Sequence, residues 1–466
     1  MEKLVESFSG VRGIYGKSLT DEIVRKYATV YAQYLMDGNK KVRVVIGRDT
    51  RASGKKLQKI FTQKFLKFGF NVIDVGTAGT PAVELGVREY KACGGVMITA
   101  SHNEPEFNGF KMLGSDGAIL LVKESERIIK KVHTFKNTHD IATKRGKLIN
   151  KKNDLDNRYV RYILKIIGYE AVREIRKSNF KLVADPNGGP VREVIEKLFR
   201  KLNVEIVGVN MKEGKFMRQV EPTVKSLAKL RSVVKNKKAD FGFGLDLDAD
   251  RMEIVLANGK MVSGNEMMAL GVESVLSTKA KGQKVVVNLP TSHLVHEIIK
   301  KYKGNISEVD VGETNVVTKM TALGSKVGGE GSCGGLIVSP SKCRDGLLSV
   351  AVILALMARQ NISLIEILKN YPRYSEQRLR AVAQKDKVVE LRRKLIDYFR
   401  TRKYKMIKVT GNMSGIKILF DQFNWLFFRS SQTEPGLFRI IANGRDEKIV
   451  NKMIKQGRSV FNKLSH

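Results

Sequence analysis

Short apolar runs alternate with amphipathic stretches through the first three quarters of this chain. The run at 42–46 reads as a buried strand. Residues 55–68 then carry Leu57, Ile60, Phe61, Phe65 and Phe68 at helical spacing, and Gly69 stops the helix. A second strand is expected at 71–75, a helix at 81–90 with Pro81 in its first turn, and a third strand at 95–99. This βαβαβ order predicts a mostly parallel sheet with helices on its faces.

The order recurs twice. Strands are expected at 181–184, 204–207 and 240–245, with helices at 190–201 and near 224–234. The third unit has strands at 284–288, 306–309 and near Lys326, with helices starting near Ser292 and Glu313. From about Tyr371 the pattern changes to a helical stretch, strands at 415–420, 424–428 and 438–442, and an amphipathic helix from Asp446. That tail reads as an α+β domain, and the charged segment 144–157 as the first linker. Ligands of α/β sheets bind beyond the carboxyl ends of strands. The third strands lead into TASHNEPEFNGFK, DLDADR and GGEGSCGG, so a hydroxyl, a carboxylate cluster and a glycine-rich acidic loop could share one site.

Bulk properties narrow the class. A chain of 466 residues is too long for one core and suggests about three or four domains. No window approaches the length of a membrane span, and the N-terminus has no apolar signal core. The three cysteines form no CxxC pair and are too few for a disulfide framework, so the cytoplasm is expected. The net charge of +37 fits an enzyme with an anionic substrate. A nucleic-acid partner is not expected: the densest basic stretch, 123–152, has acidic neighbours and only Phe135 as an aromatic.

Asp246, Asp248 and Asp250 alternate, which places them on one side of an extended or tightly turned segment. Three such carboxylates repel one another unless a cation sits among them, and oxygen ligands suit a hard ion such as Mg²⁺. An EF-hand is excluded, because Arg251 stands where its sixth-position glycine belongs and Ala257 where its twelfth-position glutamate belongs. Ser101 follows a strand. Ser101-x-x-Glu104 could cap a helix, but Pro105 and Asn108-Gly109 favour a constrained loop. A serine hydroxyl needs help to act as a nucleophile, and His102 and Lys111 are near in sequence. RSSQTEPGLFR, from Arg429 to Arg439, offers guanidinium, hydroxyl and backbone donors suited to a phosphate or to a polar hairpin. Arg12 in SGVRGIYG is flanked by glycines that allow close approach to a ligand. His293, His296 and Glu297 have neither HExxH nor HxxEH spacing and are expected to be surface or packing residues.

Taken in order, these loops resemble the α-D-phosphohexomutase family over nearly the whole chain. The carriers are SGVRGIYG, GRDTRASG, GTAGTP, TASHNEPEFNGFK, DLDADR, GGEGSCGGLI and RSSQTEP. The resemblance implies three similar βαβαβ mixed-sheet domains plus a C-terminal α+β domain around a central cleft. The expected divisions are 1–148 with the phosphoserine loop, 149–258 with the metal loop, 259–370 with the sugar loop, and 371–466 with the phosphate loop. It implies a phosphorylated Ser101, and one Mg²⁺ held by Asp246, Asp248, Asp250 and a phosphoserine oxygen. Arg12, His102 and Lys111 would surround the transferring group, with Lys111 a candidate general base. Glu330 and Ser332 would read sugar hydroxyls, Arg429, Ser431 and Thr433 would grip phosphate, and Arg251 joins the substrate-binding set. The implied reaction interconverts hexose 1- and 6-phosphates through a 1,6-bisphosphate, which also serves as activator. Glucosamine phosphate is the first choice of sugar and mannose or glucose phosphate the second. A non-catalytic sugar-phosphate-binding protein is the alternative of another class. A monomer or homodimer without membrane attachment is expected. Glu104, Ser430, Gln432, Ser332-Cys333 and a glycine near the place of the sugar loop's usual terminal histidine depart from the family pattern.

Overall fold

The computed structural model describes residues 3–37, 42–135, 145–278, 282–331, 334–408, 415–431 and 436–465. It divides into two compact units, Met1–Ser263 with Gly334–Ile365, and Gly264–Cys333 with Glu366–His466.

The first unit contains two sheets. One has seven strands in the order Val5–Ser7, Gly10–Ile14, Phe107–Leu113, Gly94–Ile98, Arg43–Arg48, Asn71–Thr77 and Leu148–Asn150. The strands Arg43–Arg48, Asn71–Thr77 and Gly94–Ile98 pair in parallel, as the βαβαβ pattern requires. The helix Gly54–Lys67 turns Leu57, Phe61 and Phe65 inward to meet Tyr27 and Tyr31 of the helix Asp21–Met36. The helix Thr80–Glu89 starts with proline in its first turn. The other sheet runs Met252–Leu256, Phe241–Leu245, Lys181–Asp185, Glu205–Gly208. The helix Gly346–Gln360, almost wholly apolar, is buried along most of its length in this unit.

In the second unit Lys284–Asn288 pairs in parallel with Asn305–Val309 and Val327–Gly329. A five-stranded antiparallel sheet follows, ordered Ser375–Val382, Leu437–Gly444, Trp425–Ser430, Ile416–Leu419, Lys405–Lys408. The helices Val388–Arg400 and Glu447–Ser465 cover its core of Leu395, Phe399, Phe428, Ile440 and Phe461.

Three sequence expectations change. The serine loop is shorter than expected, because Phe107–Leu113 is a strand lying antiparallel between Gly10–Ile14 and Gly94–Ile98. The expected linker is structured: Leu148–Asn150 adds a parallel edge to the first sheet, and the helix Lys152–Ile167 follows at once. The tail opens on the strand Ser375–Val382 before its first helix.

Candidate functional site

The first unit brings two strand ends together. After Gly94–Ile98 the chain turns sharply, with Ser101 in the left-handed region at φ 51°. After Phe241–Leu245 the acidic loop turns through Ala249 at φ 56°. Non-glycine residues in that region cost energy and cluster at functional sites. Ser101 Oγ donates to Asp246 Oδ2 at 3.1 Å, and both residues are almost fully buried. One oxygen from each of Asp246, Asp248 and Asp250 can be chosen so that all lie within 4.8 Å of one another.

This cluster crowds three carboxylates into a dry place. Burial raises Asp246 well above the ordinary carboxylate range, and the charges of Asp248 and Asp250 push it further. Burial would raise Asp250 too, but Lys111, Arg344 and Arg251 outweigh it and hold its pKa low. Asp248 Oδ1 and Asp250 Oδ1 are buried without a hydrogen-bond partner. Buried polar atoms are normally satisfied, so two orphaned carboxylate oxygens beside a third carboxylate suit a hard divalent cation.

Cations ring the cluster. Lys111, on Phe107–Leu113, donates to Asp248 Oδ2 at 2.8 Å and Asp250 Oδ2 at 2.7 Å. In this arrangement its ammonium neutralises charge. Arg251 Nε lies 3.8 Å from Asp250 Oδ1. Arg12 projects from the neighbouring strand and donates to Asn103 Oδ1 at 3.3 Å. His102 Nδ1 is 3.5 Å from Ser101 Oγ. Burial, then the charges of Arg251 and Arg12, pull His102 down to about 2, so its imidazole is neutral at pH 7.

Sequence reasoning missed the residues that hold this geometry. Arg51, 1% exposed, pairs with Asp49 at 2.9 Å. Its guanidinium donates to the carbonyls of Ser101 (2.8 Å), Asn103 (2.5 Å), Glu104 (2.5 Å) and Phe107 (2.8 Å). One buried arginine thus braces most of the serine loop. Thr80, at the start of its helix, donates from Oγ1 to Asp248 Oδ2 at 2.6 Å and from its backbone to Asp248 O at 2.8 Å. Arg344 lies 3.7 Å from Asp250 Oδ2. GRDTRASG was visible as a motif, but nothing in it said which carbonyls Arg51 would bind.

The other candidates lie in the second unit. Glu330 is buried, and its Oε1 accepts from Asn288 Nδ2 at 2.9 Å and Gly312 N at 2.8 Å. Burial raises Asp310, Arg429 and Arg392 oppose that shift, and Glu330 adds to it, so these four groups share one electrostatic neighbourhood. Arg429 lies on Trp425–Ser430, opposite Arg439. Ser431 N donates to Leu437 O at 2.7 Å. Ser332 and Thr433 lie outside the described residues. His293 and His296 pack ring to ring at 4.5 Å, in keeping with the packing role expected of them.

Comparison with known proteins decides the family. Models for the α/β/α domains I, II and III of phosphoglucomutase/phosphomannomutase match residues 6–139, 157–259 and 263–374. The phosphoglucomutase/phosphomannomutase of Thermococcus kodakarensis is 31% identical over 461 residues, covering 98% of each chain. The chain belongs to the α-D-phosphohexomutase family. It is an enzyme of that family, a hexose-phosphate mutase, with three α/β/α domains and a fourth, β-rich region. The phosphoglucosamine/phosphogalactosamine mutase of Sulfurisphaera tokodaii is 31% identical, covering 97% of each chain. Among solved structures, a phosphoglucomutase/phosphomannomutase family protein from Burkholderia thailandensis matches with a TM-score of 0.83 and 20% identity, covering 99% of this chain and 97% of its own. No described helix is long and apolar enough to cross a membrane.

Proposed function

We propose that this mutase interconverts hexose 1-phosphate and hexose 6-phosphate through a phosphoserine at Ser101, with glucosamine phosphate its preferred substrate. The observation that carries the reading is the 3.1 Å contact of Ser101 Oγ with Asp246, beside two further buried carboxylates. Asp246, Asp248 and Asp250 would hold Mg²⁺ with a phosphoserine oxygen. When bound, the ion neutralises phosphoryl charge.

The chain's own residues do the rest. Phosphoryl transfer depends on positioning and charge neutralisation more than on covalent chemistry. Arg51 and Thr80 set the two loops. Arg12, Arg251 and Lys111 face the group in transit, and Lys111 is the candidate for handling the proton of the attacking hydroxyl. The hydroxyl oxygen of the monophosphate bonds to phosphorus, the bond from phosphorus to Ser101 Oγ breaks, and the proton passes, in net, to Ser101. The resulting 1,6-bisphosphate returns its other phosphate to Ser101. The free bisphosphate would therefore act as an activator that primes the serine. Glu330 reads sugar hydroxyls, with Oε1 fixed by Asn288 and Gly312. Arg429, Ser431 and Thr433 grip the distal phosphate.

The sugar preference takes its support from the relatives, one of which is named for amino-sugar phosphates and another for glucose and mannose phosphates. A cytoplasmic location, and four domains divided near 148, 258 and 370, complete the reading. The test has two parts. Intact-mass analysis should find a phosphorylated fraction that vanishes in Ser101→Ala together with turnover. Glucosamine, mannose, glucose and N-acetylglucosamine 1-phosphates, assayed side by side with Mg²⁺, should rank glucosamine first. Full turnover by Ser101→Ala would end the phosphoserine reading, and a different ranking would replace the sugar.

A further inference from the structure

We infer that Arg344 is a further catalytic residue of the phosphoryl-transfer site, a cation that contacts the transferring group from the side of Asp250. The inference rests on the phosphoserine reading above. Arg344 is 7% exposed, and its guanidinium lies 3.7 Å from Asp250 Oδ2. Its charge is felt at both Asp250 and His102, the residue next to Ser101. It therefore stands against the acidic loop, beside the place where negative charge moves during transfer.

Its segment is fixed to that place. Gly346 N donates to Ala249 O at 3.1 Å, which ties the segment to the turn of the acidic loop. Asp345 caps the helix Gly346–Gln360 by accepting from Leu348 N at 2.9 Å, and it accepts from Tyr159 OH at 2.6 Å. Asp345 N donates to Leu336 O at 3.1 Å. An arginine held between a helix cap and the metal loop is preorganised, which is what electrostatic stabilisation of a transition state requires.

Two glycines make the room. A Cβ at Gly335, whose φ is +126°, would stand 3.0 Å from Arg344 Cβ and 2.7 Å from Asp250 O. A Cβ at Gly334 would stand 2.0 Å from Met252 O. A side chain at either position would displace the backbone beside Asp250. The glycine pair thus permits the close approach of Arg344, a positive charge that enters from nine residues beyond Gly335. In the step it serves, a sugar hydroxyl oxygen bonds to phosphorus as the bond from phosphorus to Ser101 Oγ breaks. The electron pair goes to Oγ, and the hydroxyl proton ends there. Arg344 offsets charge on the phosphoryl oxygens throughout.

Full-length Arg344→Met and Arg344→Lys test this beside the wild type. Turnover, KM, Mn²⁺ affinity by electron paramagnetic resonance, melting temperature and the rate of Ser101 phosphorylation by glucose 1,6-bisphosphate are measured. Arg344→Met should lose about 10²-fold in kcat, the scale of one lost electrostatic contact. Serine phosphorylation should slow in parallel, while KM and Mn²⁺ affinity stay within about threefold. Arg344→Lys should recover at least about tenfold of the loss, since it restores charge without the planar fork. A kcat within threefold of wild type in Arg344→Met overturns the inference. So does a loss matched by equal weakening of Mn²⁺ binding or by a collapsed melting temperature in both variants, which would make Arg344 a support of the acidic loop. A wild type that turns over sugar phosphate without phosphorylating Ser101 would overturn the underlying reading instead.

Discussion

Each unit buries a cluster of charges, and the two clusters are built differently. In the first unit, three aspartates crowd together with Lys111, Arg251 and Arg344 at their edges, and two carboxylate oxygens have no hydrogen-bond partner. In the second, Lys417 Nζ lies 2.6 Å from Glu308 Oε1 and 5.0 Å from the centroid of the Trp425 ring. That pair is one cation to one anion, carried on two regular strands, Ile416–Leu419 and Asn305–Val309. The aspartates sit on a tight turn at a strand's carboxyl end, facing a serine in the left-handed region. A matched pair can balance its own desolvation. Crowded carboxylates with unsatisfied oxygens do not, even with cations at their edges, and they call for a ligand. The contrast separates a structural ion pair from a site.

The sharpest way to break the comparison is to remove one carboxylate. Asp248→Asn should lose at least about 10³-fold in turnover, and chelation of wild type should do the same reversibly. Divalent metal should raise the melting temperature of wild type and leave that of Asp248→Asn nearly unchanged. Without metal the variant should melt close to wild type, because the repulsion relieved offsets the charge Lys111 loses as a partner, and Lys111 keeps Asp250. Metal-free melting several degrees below wild type would mean that the cluster holds the fold together.

Lys417→Met should behave in the opposite way. It leaves Glu308 without its partner, and breaking a buried pair costs about 3 kcal/mol or more. Glu308→Gln added to it should restore much of that loss. Turnover per folded molecule should stay within about threefold. Urea unfolding followed by the emission of the single tryptophan, Trp425, is the readout. If the double variant is as unstable as Lys417→Met, the ion pair is not what the cluster depends on.

The sequence made the aspartates legible and the matched pair invisible, for a physical reason. Asp246, Asp248 and Asp250 are neighbours in sequence, and their repulsion can be argued from spacing alone. Lys417 and Glu308 are 109 residues apart, and neither stands out among so many charges. The same holds for Arg51, whose four carbonyl acceptors are 50 or more residues away. Arg344 is likewise far from Asp250 in sequence, and only the tie of its segment to Ala249 brings it to the acidic loop. Elements followed the same rule. Arg43–Arg48 and Gly54–Lys67 announce themselves by apolar period. Phe107–Leu113 hides because Asn108, Gly109 and Lys111 are buried polar or small residues in the middle of a sheet. Ser375–Val382 hides because it is a sheet-edge strand whose residues are mostly exposed or half-buried.

The smallest expected effect is the part of the pH dependence that the matched cluster carries. Burial first, then the charge of Lys417, pulls His293 down to about 4 and His296 to about 2, from an ordinary value near 6.5. His293 Nδ1 is 2.9 Å from Gln422 O, with Glu297 and Asp421 opposing the shift, while His296 Nε2 is 3.6 Å from Glu308. Both rings are neutral in the native state at pH 7. As pH falls below about 6.5, the unfolded chain takes up protons that the folded chain refuses, so stability drops. Each histidine contributes at most about 1.4 kcal/mol per pH unit, and the loss continues until its folded pKa is reached. His296→Leu removes one of these proton uptakes. Between pH 7.5 and 5.0 its unfolding free energy should therefore fall less steeply than that of wild type, by about 1 kcal/mol per pH unit in the acidic part of the range. Parallel curves would show that His296 titrates alike in the folded and unfolded chains. The aspartate cluster should not change the comparison, because both proteins carry it.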